Sequence, residues 1–382
     1  MKRKSITKLF LAFILLTSVV VVCADDIVVD HTETAQYVVF KDSWNGNIYF
    51  AKNGATGEVE LIDNDASTVI QYAVDMIDAN NGGILYLRSG EYKIYSTIYL
   101  CKEIAVRGSG WNFGGGGTKL KLKANCDVFY LDHPKTVSSV GIYDLSIVAQ
   151  KNTYTTGSGI YFSDNTMDCR IKDVGMNYMP EYGIYAGSGW GLVIDDVVVE
   201  HSGLDGIHIG GRTDGKIVNS KILGNDGYGI YASSTQMKII GNEIRGNHKE
   251  GLYMRMGKQT CMGNTFHKNY GGDSDSQIHI VGNGNSVVGN SIDCKGTSSY
   301  GIVVSSSAED AVVTNNFITR FNDVAVVDEG DNSLIDNNQG YPYSSKTYIP
   351  SSDGESVELT FDATSNCLVA HHNGNEYYYN CI

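Results

Sequence analysis

Positive charge is scarce in this sequence. The chain of 382 residues has 29 Lys and Arg against 43 Asp and Glu, and its formal net charge at pH 7 is −14. This balance argues against nucleic acid as a partner and provides no field for capturing polyanions, since both need clustered Lys and Arg. Zinc, nucleotide and serine-hydrolase motifs are also absent, and the pair His371-His372 has no acids at metal-ligand spacing. We therefore predict no cofactor, no metal and no nucleic-acid partner.

Long apolar runs are nearly absent as well. The exception extends from Leu9 to Val22, follows four basic residues and ends at Cys23-Ala24. A run of about 14 residues between a basic start and a small-residue cleavage site is typical of a signal peptide and is short for a membrane span. We predict that residues 1–24 are removed and that the protein is secreted or lies at the cell surface, without membrane insertion. An uncleaved anchor is the alternative, whereas bulky Val22 disfavours lipid attachment at Cys23.

Cysteines are few, and their number becomes odd once the signal peptide is removed. Seven of the eight remain, so at least one is free or pairs between molecules. Cys367 and Cys381 flank a hairpin-like tail and are the best candidates for a disulfide. Cys261 takes a core position in the repeat described next, so we predict a buried thiol there.

The sequence is rich in one repeated pattern, from about Arg170 to Asn337. A Val/Ile pair, a small or polar residue and an Asn recur at steps of 22 to 26 residues, and a second phrase, such as GIYA, follows each about half a period later. The first phrase reads RIKDVGM at 170, LVIDDVV at 192, KIVNSKI at 216, KIIGNEI at 238, TCMGNTF at 260, SVVGNSI at 286, AVVTNNF at 311 and SLIDNNQ at 333. A fixed period in this range indicates units that bury their apolar sides only against their neighbours.

Each unit is predicted to be a coil of short strands. The units are β-branched and alternate with period two, and strands repeated at one step stack in parallel with rungs roughly 4.8 Å apart. One position of the first phrase is expected to stack amides, which hydrogen-bond along the column and tolerate tight bends. Its predicted members are Asp196, Ser220, Asn242, Asn264, Asn290, Asn315 and Asn337. The sequence therefore predicts an all-β fold, a parallel β-helix (solenoid) with three strands per coil.

The segments on either side of the repeat differ from it. Residues 27–62 read as two short strands joined at Asn45-Gly46. A helix from about Ser67 to Ala79, capped by Asp65 or Ser67, is predicted to cover the open N-terminal end of the solenoid. After Gln339 the strands VELTF and EYYYN are predicted to pair and to shield the last coil. The predicted organisation is a signal peptide at 1–24, a small strand module at 25–64, the β-helix at 65–340 and a C-terminal β tail at 341–382.

A resemblance to a known family lies in the run from Ala66 to Leu122. Here the helix is followed by GGILYLRSGEYKIYSTIYL, IAVRGSG and TKLKL. With the coils behind it, this run resembles the pectate-lyase superfamily of right-handed parallel β-helix proteins, over roughly residues 64–340. The resemblance implies a right-handed β-helix. It implies little about activity, because the superfamily includes polysaccharide lyases, glycoside hydrolases, epimerases, phage-type depolymerases and non-enzymatic surface proteins.

The active-site patterns of that superfamily do not carry over directly. A polygalacturonase-like site implies paired Asp, Gly-His-Gly and Arg-Ile-Lys in that order, whereas here Arg170-Ile171-Lys172 precedes Asp195-Asp196 and Gly-His-Gly is missing. The repeat accounts for both, because Asp196 falls on the amide column and Arg170 on the position of Lys216. An epimerase-like Asp-Pro-His is matched only in part by Asp205-Gly206-Ile207-His208.

The repeat also predicts which side chains face outward. In the second phrase the Ile or Leu after Gly faces the core, so the following residue faces solvent. This column contains Tyr161, Tyr185, His208, Tyr231, Tyr253 and His279; the position before Gly carries Tyr182, Asp205, Tyr228, Glu250, Ser276 and Tyr300. Tyr rings with polar hydroxyls are suited to binding sugars, but Tyr also favours strands and stacks on the Tyr of the next rung.

Ionisable groups concentrate on this face in three neighbouring coils. Acids, His, Tyr and Arg beside an aromatic strip are the groups that general acid–base chemistry on a glycan requires. The predicted catalytic residues are Asp205, His208, Tyr231, Glu250 and Arg255. The predicted substrate-binding residues are Tyr161, Tyr185, Tyr253, His279 and Lys258.

Two classes of function follow: a secreted enzyme acting on a polysaccharide, and a non-catalytic surface or glycan-binding protein. For the enzyme the sequence favours hydrolysis. Asp205 and Glu250 lie two coils apart, a backbone separation of roughly 10 Å, and inverting glycosidases hold their carboxyls about 6.5–9.5 Å apart. The alternative is a lyase or epimerase, in which Arg255 neutralises a uronic carboxylate and His208 or Tyr231 is the base. The acidic surface makes a polyanionic substrate less natural.

Overall fold

The chain folds into a parallel β-solenoid whose coils stack one upon the next. The computed structural model describes residues 35–42, 47–131, 137–272, 274–342, 346–350, 356–362, 367–372 and 375–379. In each central coil two short strands belong to a large sheet and a third belongs to a second sheet; Lys216–Val218, Lys221–Leu223 and Ile230–Thr235 are one such set. This arrangement confirms the predicted all-β solenoid with three strands per coil.

The large sheet is parallel along the solenoid. Each strand pairs with its counterpart one coil earlier and one coil later, as Ile217 does with Ile194 and Ile239. Its solenoid strands are Gly83–Leu87, Gly90–Ile94, Ile104–Arg107, Thr118–Leu122, Gly141–Val148, Arg170–Asn177, Val193–Asp195, Val198–Glu200, Lys216–Val218, Lys221–Leu223, Lys238–Ile240, Glu243–Arg245, Thr260–Met262, Thr265–His267, Ser286–Val288, Ser291–Asp293, Val312–Thr314, Phe317–Phe321, Leu334–Asp336 and Gln339–Pro342.

The second sheet carries the second phrase of the repeat and is also parallel. Its strands are Ile98–Tyr99, Phe129–Leu131, Ile160–Phe162, Ile184–Ala186, Ile207–Thr213, Ile230–Thr235, Leu252–Met254, Ser276–Ile280, Tyr300–Val304 and Val324–Asp328, with Val137–Ser138, Thr166–Met167 and Gly189–Trp190 beside them. Ile207, Ile230, Leu252 and Ile278 are fully buried, because alternate side chains point into the solenoid. Cys261 is fully buried on the opposite wall, as predicted.

Asparagine side chains form a ladder at the bend between the two strands of the large sheet. The amide nitrogen Nδ2 of Asn264 donates to Asn290 Oδ1 at 3.0 Å and to the carbonyl of Ile239 at 2.9 Å. The ladder residues are Ser220, Asn242, Asn264, Asn290, Asn316 and Asn338. Each contact joins one coil to the next, so the ladder satisfies buried polar groups that the bend leaves without strand partners.

The prediction was wrong by one residue at Asp196, Asn315 and Asn337. These residues have φ of 51°, 58° and 51°, the left-handed conformation that Gly241 also takes at the same bend. The strand pairing shows why, because Val312, not Ala311, lies opposite Ser286. Asn and Asp tolerate this conformation better than other non-glycine residues, so the bend and the ladder accept the same residue type at adjacent positions.

A second ladder, which sequence inspection missed, follows the other edge of the large sheet. Asn247 Nδ2 donates to Asn269 Oδ1 at 2.8 Å, and Asn269 Nδ2 donates to Gln277 Oε1 at 2.9 Å. Its residues are Ser202, Asn225, Asn247, Asn269, Gln277 and Ser298.

The N-terminal strands are joined to the solenoid. Tyr37–Lys41, Tyr49–Asn53 and Val59–Asp63 form an antiparallel meander, and the first of them pairs in parallel with Gly83–Leu87. The sequence predicted two of these three strands. Its turn at Asn45-Gly46 lies outside the described residues.

The predicted helix is present as Ala66–Ala79, with Asp65 as its N-cap. The Asp65 carboxylate accepts a hydrogen bond from Ser67 N–H at 2.8 Å. The apolar face, formed by Val69, Ile70, Ala73, Val74 and Ile77, is buried. It packs against the N-terminal strands and the first coil, so this helix covers the apolar interior there, as predicted.

The C-terminal strands form an antiparallel sheet of their own, Lys346–Pro350, Ser356–Asp362, Cys367–His372 and Asn375–Tyr379. The predicted pairing of VELTF with EYYYN is wrong, because Cys367–His372 lies between those two strands and pairs with both. Cys381 and the predicted signal peptide lie outside the described residues. In the part of the chain that the structure covers, no helix has the length and apolar character of a membrane span.

Candidate active site

Aromatic rings form a continuous column on the outer face of the second sheet. The strand register places Tyr99, Tyr130, Tyr161, Tyr185, His208, Tyr231, Tyr253 and His279 one above another. This confirms the predicted outward column and extends it by Tyr99 and Tyr130. Those two occur in the strands TIYL and VFYL, where Tyr between apolar residues is the signal that sequence inspection overlooked.

Most rings of the aromatic column stack face to face. Ring centroids are 4.4 Å apart for Tyr161 and Tyr185 and for His208 and Tyr231, with interplanar angles of 13° and 10°. Neighbouring rings therefore cover one another's faces, which is the stacking alternative raised by the sequence. The middle of the column therefore presents ring edges and hydrogen-bonding hydroxyls to solvent rather than open ring faces.

Asp205 and His208 form a close pair on one coil. His208 Nδ1 lies 2.7 Å from Asp205 Oδ2, while Asp205 Oδ1 accepts a hydrogen bond from Tyr228 N–H at 2.8 Å. Asp205 is nearly buried and His208 is half-buried. The Tyr182 ring packs against His208, and burial together with the nearby Asp205 carboxylate raises the pKa of Tyr182. The carboxylate thus orients the imidazole, with Nδ1 toward the acid.

Tyr231 and Arg255 continue this arrangement on the next two coils. The guanidinium Nη1 of Arg255 donates to the Tyr231 hydroxyl at 3.1 Å, and the Tyr231 ring stacks on His208. Arg255 is exposed. The structure therefore brings together four of the five predicted catalytic residues, in the order Asp205, His208, Tyr231 and Arg255.

Glu250 is placed differently from the prediction. Its side chain is 0% exposed, and its Oε1 accepts hydrogen bonds from Ser274 N–H at 3.0 Å and Ser274 Oγ at 2.8 Å. The backbone at Gly272 also closes over it, since a Cβ there would lie 2.5 Å from Glu250 Oε2. The coil that follows Glu250 is 26 residues long rather than 22, and the added residues provide this cover. Glu250 is thus not a solvent-facing partner of Asp205.

A shallow groove adjoins the aromatic column at Arg255. It has a volume of about 530 Å³, and Arg255 and Lys258 provide its positive charge. Thr235, Gln236 and Asn283 add polar groups to its lining. The predicted substrate-binding residue Lys258 therefore lines the same groove as Arg255, whereas Tyr161 and Tyr185 lie on earlier coils of the column.

The side chains of the polygalacturonase-like motifs, Arg170-Ile171-Lys172 and Asp195-Asp196, contact one another and their neighbours in the large sheet. Lys172 Nζ lies 3.2 Å from Asp195 Oδ2, and Asn219 Nδ2 donates to Asp195 Oδ1 at 3.1 Å. Arg170 shares the position of Val193, Lys216 and Lys238 in the register, as predicted. Among the described residues, no group of three or more His, Cys, Asp and Glu side chains is arranged to hold a metal ion.

Comparison with known proteins agrees with this fold. The family model described as "Right handed beta helix region" matches residues 158–318. The chain is similar to the A-modules of the mannuronan C-5 epimerases AlgE4 and AlgE6 from Azotobacter vinelandii. For AlgE4 the identity is 15% and the TM-score 0.52, covering 72% of this chain and 93% of that one; for AlgE6 they are 18% and 0.52, covering 73% and 96%.

A second kind of enzyme has the same fold. A mutant DFA-IIIase from Arthrobacter chlorophenolicus A6 in complex with DFA-III is 17% identical with a TM-score of 0.52, covering 72% of this chain and 82% of that one. No match was found among curated proteins. The chain thus has the right-handed parallel β-helix fold that the resemblance in its sequence implied.

Proposed function

We propose that this protein is a secreted enzyme that acts on a polysaccharide by proton transfer at the exposed face of the aromatic column. One observation carries the proposal: Asp205, His208, Tyr231 and Arg255 are linked by direct contacts across neighbouring coils. An oriented imidazole and a phenol can remove and return a proton, and a guanidinium beside them can compensate the negative charge that develops during the transfer. The names of the structurally similar epimerases and of the DFA-IIIase complex support a carbohydrate as the substrate class.

Proton abstraction beside a uronic carboxylate, as in a lyase or an epimerase, fits this group better than hydrolysis. An inverting glycosidase needs two accessible carboxyls, and Glu250 is fully buried. Arg255 is exposed beside Tyr231 and is placed to neutralise a substrate carboxylate. This reverses the preference that sequence inspection gave to hydrolysis. The positive charge of Arg255 and Lys258 in the groove offsets the acidic surface locally.

The residues of this group have distinct roles in such a step. Asp205 holds the Nδ1 side of His208, which leaves Nε2 as the base that removes the proton from the carbon next to the carboxylate. Arg255 stabilises the negative charge that then develops on that carboxylate. The Tyr231 hydroxyl, polarised by Arg255, donates a proton either to the leaving glycosidic oxygen or back to the sugar carbon. The first outcome is elimination and the second is epimerisation.

Turnover of acidic glycans tests this proposal. Purified protein is incubated with uronate-containing and neutral polysaccharides, and unsaturated-product absorbance, new reducing ends and deuterium uptake from heavy water are followed. We expect unsaturated product or deuterium uptake with an acidic glycan, and a loss of about 10²-fold or more in His208→Ala, Tyr231→Phe and Arg255→Ala. Reducing ends without unsaturation would instead assign hydrolysis, and glycan binding without any turnover would assign the column to a non-catalytic protein.

A second Tyr–Arg pair provides a matched control. The Arg107 guanidinium lies 4.4 Å from the centre of the Tyr143 ring, on the large sheet and away from the aromatic column. Tyr143→Phe and Arg107→Ala should retain full turnover. Equal losses in both pairs would show that the substitutions act through the fold. Export is tested separately by sequencing the N-terminus of the protein recovered outside the cell, which we expect to begin at Asp25.

A further inference from the structure

Two side chains, Ser305 and Glu250, flank the imidazole of His279 at the C-terminal end of the aromatic column. His279 Nε2 lies 2.7 Å from Ser305 Oγ, and His279 Nδ1 lies 3.8 Å from Glu250 Oε1. The three residues lie on successive coils: Glu250 precedes the strand Leu252–Met254, His279 lies within Ser276–Ile280, and Ser305 follows Tyr300–Val304. None of them takes part in the Asp205, His208, Tyr231 and Arg255 group.

The two nitrogens of His279 face different chemistry. Nε2 faces the Ser305 hydroxyl at hydrogen-bond distance, and Nδ1 faces the Glu250 carboxylate at slightly more than hydrogen-bond distance. The carboxylate is 0% exposed, is held by Ser274 N–H and Ser274 Oγ, and has no hydrogen-bond partner on Oε2. A buried acid, an oriented imidazole and a serine hydroxyl in this order are the components of a hydrolytic triad, which is recognised by geometry rather than by sequence position. Long contacts of this kind also tighten when substrate binds.

The surroundings of Ser305 fit a nucleophile. It is half-buried at the start of a turn that Ala308 N–H closes on the Ser305 carbonyl at 2.9 Å, and the following residue, Ser306, is exposed. In serine hydrolases on α/β folds, the amide of the residue after the nucleophile contributes to the oxyanion hole. Here the residue directly after Ser305 is Ser306, whose N–H is the corresponding amide.

We propose that Ser305, His279 and Glu250 form a second catalytic centre, which hydrolyses small acyl esters carried on a carbohydrate. Ser305 Oγ attacks the ester carbonyl while His279 Nε2 takes its proton, and the buried Glu250 carboxylate stabilises the imidazolium. The bond to the alcohol then breaks, His279 returns the proton to the leaving sugar oxygen, and an acyl-serine remains. Water attacks that acyl group, His279 takes the water proton and passes it to Ser305, and the carboxylic acid leaves.

The position of this centre defines its substrate class. Ser305 is half-buried in the turn that follows a strand of the second sheet, so a small acyl group on a large ligand would approach it from outside the solenoid, without an enclosed acyl pocket. The aromatic column ends at His279, so a polymer bound along the ring edges and hydroxyls reaches Ser305. The ester activity does not depend on proton transfer at His208, and either centre is able to function without the other.

Labelling and ester hydrolysis test the proposal on the full-length secreted protein. A fluorophosphonate probe followed by peptide mass spectrometry should label Ser305. Hydrolysis of p-nitrophenyl acetate should fall by about 10²-fold or more in Ser305→Ala and in His279→Gln, and also in Glu250→Gln.

Ser233 provides the matched control, since it occupies the same position relative to Tyr231 that Ser305 occupies relative to Val303. Ser233→Ala should keep the wild-type rate, and Ser233 should stay unlabelled. Circular dichroism and thermal unfolding establish whether each variant folds. If Glu250→Gln misfolds, the half-buried Ser305→Ala and the labelling of unmodified protein decide the question. An unlabelled Ser305, or unchanged hydrolysis in folded Ser305→Ala, would show that the Ser305–His279 hydrogen bond only terminates the column.

Discussion

Asn315 and Asn316 are neighbours with different structural roles. Asn316 is buried, donates to Asn338 Oδ1 and to the Val287 carbonyl at 2.9 Å each, and accepts from Asn290 N–H at 3.0 Å. Asn315 lies in the left-handed conformation at the bend, where Gly241, Gly263 and Gly289 stand in other coils. The ladder requires hydrogen-bonding groups, whereas the bend requires a backbone conformation.

We therefore expect substitutions at these two positions to change the free energy of unfolding by different amounts. Asn316→Leu should lower the free energy of unfolding by about 1–3 kcal/mol, because buried partners lose their hydrogen bonds. Asn315→Gly should change it by less than about 0.5 kcal/mol, since glycine adopts this φ without strain. Urea unfolding followed by circular dichroism measures both. A larger loss in Asn315→Gly than in Asn316→Leu would contradict the assigned register.

Two aspartates should give opposite dependences of stability on pH. Burial raises the pKa of Asp127, although the Ser158 N–H at 2.7 Å lowers it in part. The pKa of Asp127 is higher in the folded state than in the unfolded state. Asp127 therefore leaves the free energy of unfolding unchanged below the unfolded pKa, and it lowers that free energy as pH rises through the folded pKa. Asp127→Asn should match the wild type near about pH 3 and be more stable near about pH 7.

Asp195 is the control of opposite sign. Burial by itself raises its pKa, but hydrogen bonds from Asn219 and Lys172 lower the pKa overall. Its ionised form therefore stabilises the fold above the unfolded pKa, and this contribution is lost as pH falls through the folded pKa. Asp195→Asn should be less stable than the wild type near about pH 7. The same sign of change in both variants would rule out these electrostatic assignments.

At the scale of elements, the helix Ala66–Ala79 is held by its cap and by its buried face. Asp65→Ala removes the acceptor for Ser67 N–H and should lower the free energy of unfolding by about 0.5–2 kcal/mol. Asp78→Ala, exposed near the other end, should change it by less than about 0.5 kcal/mol, because a negative charge at a helix C-terminus brings no stabilisation. Thermal unfolding compares the two variants, and equal effects would show that the cap bond contributes nothing.

At the scale of the whole molecule, each coil is stabilised mainly by the coils above and below it. The described cysteines contribute buried or half-buried side chains to this stacking, and Cys101, Cys126, Cys261 and Cys294 are free thiols. Burial raises the pKa of Cys101 and of Cys294 to about 12 each. Low thiolate content and low access both slow their reactions.

The cysteines of the tail should behave differently. We predict a Cys367–Cys381 disulfide, so peptide mapping without reductant should recover those two residues linked. Cys101, Cys261 and Cys294 should react with a thiol reagent only after unfolding. Two free thiols at the tail would remove the proposed staple, and fast labelling of Cys261 in the native protein would contradict the core position of its strand.

The sequence by itself determined the solenoid, the capping helix and the outward column. A step of 22 to 26 residues places equivalent positions above one another, and alternation within each strand separates core from surface. The sequence alone therefore assigns Tyr231 to the surface and Ile230 to the core. Only the tertiary structure decided the rest. The asparagine ladder depends on a one-residue register that adjacent Asn residues leave ambiguous. Glu250 is buried by residues that follow it in the next turn, and its approach to His279 and Ser305 joins coils whose relative offsets depend on loop length. Spacing along the chain specifies which residues share a column, whereas burial and contact depend on how the loops between columns close.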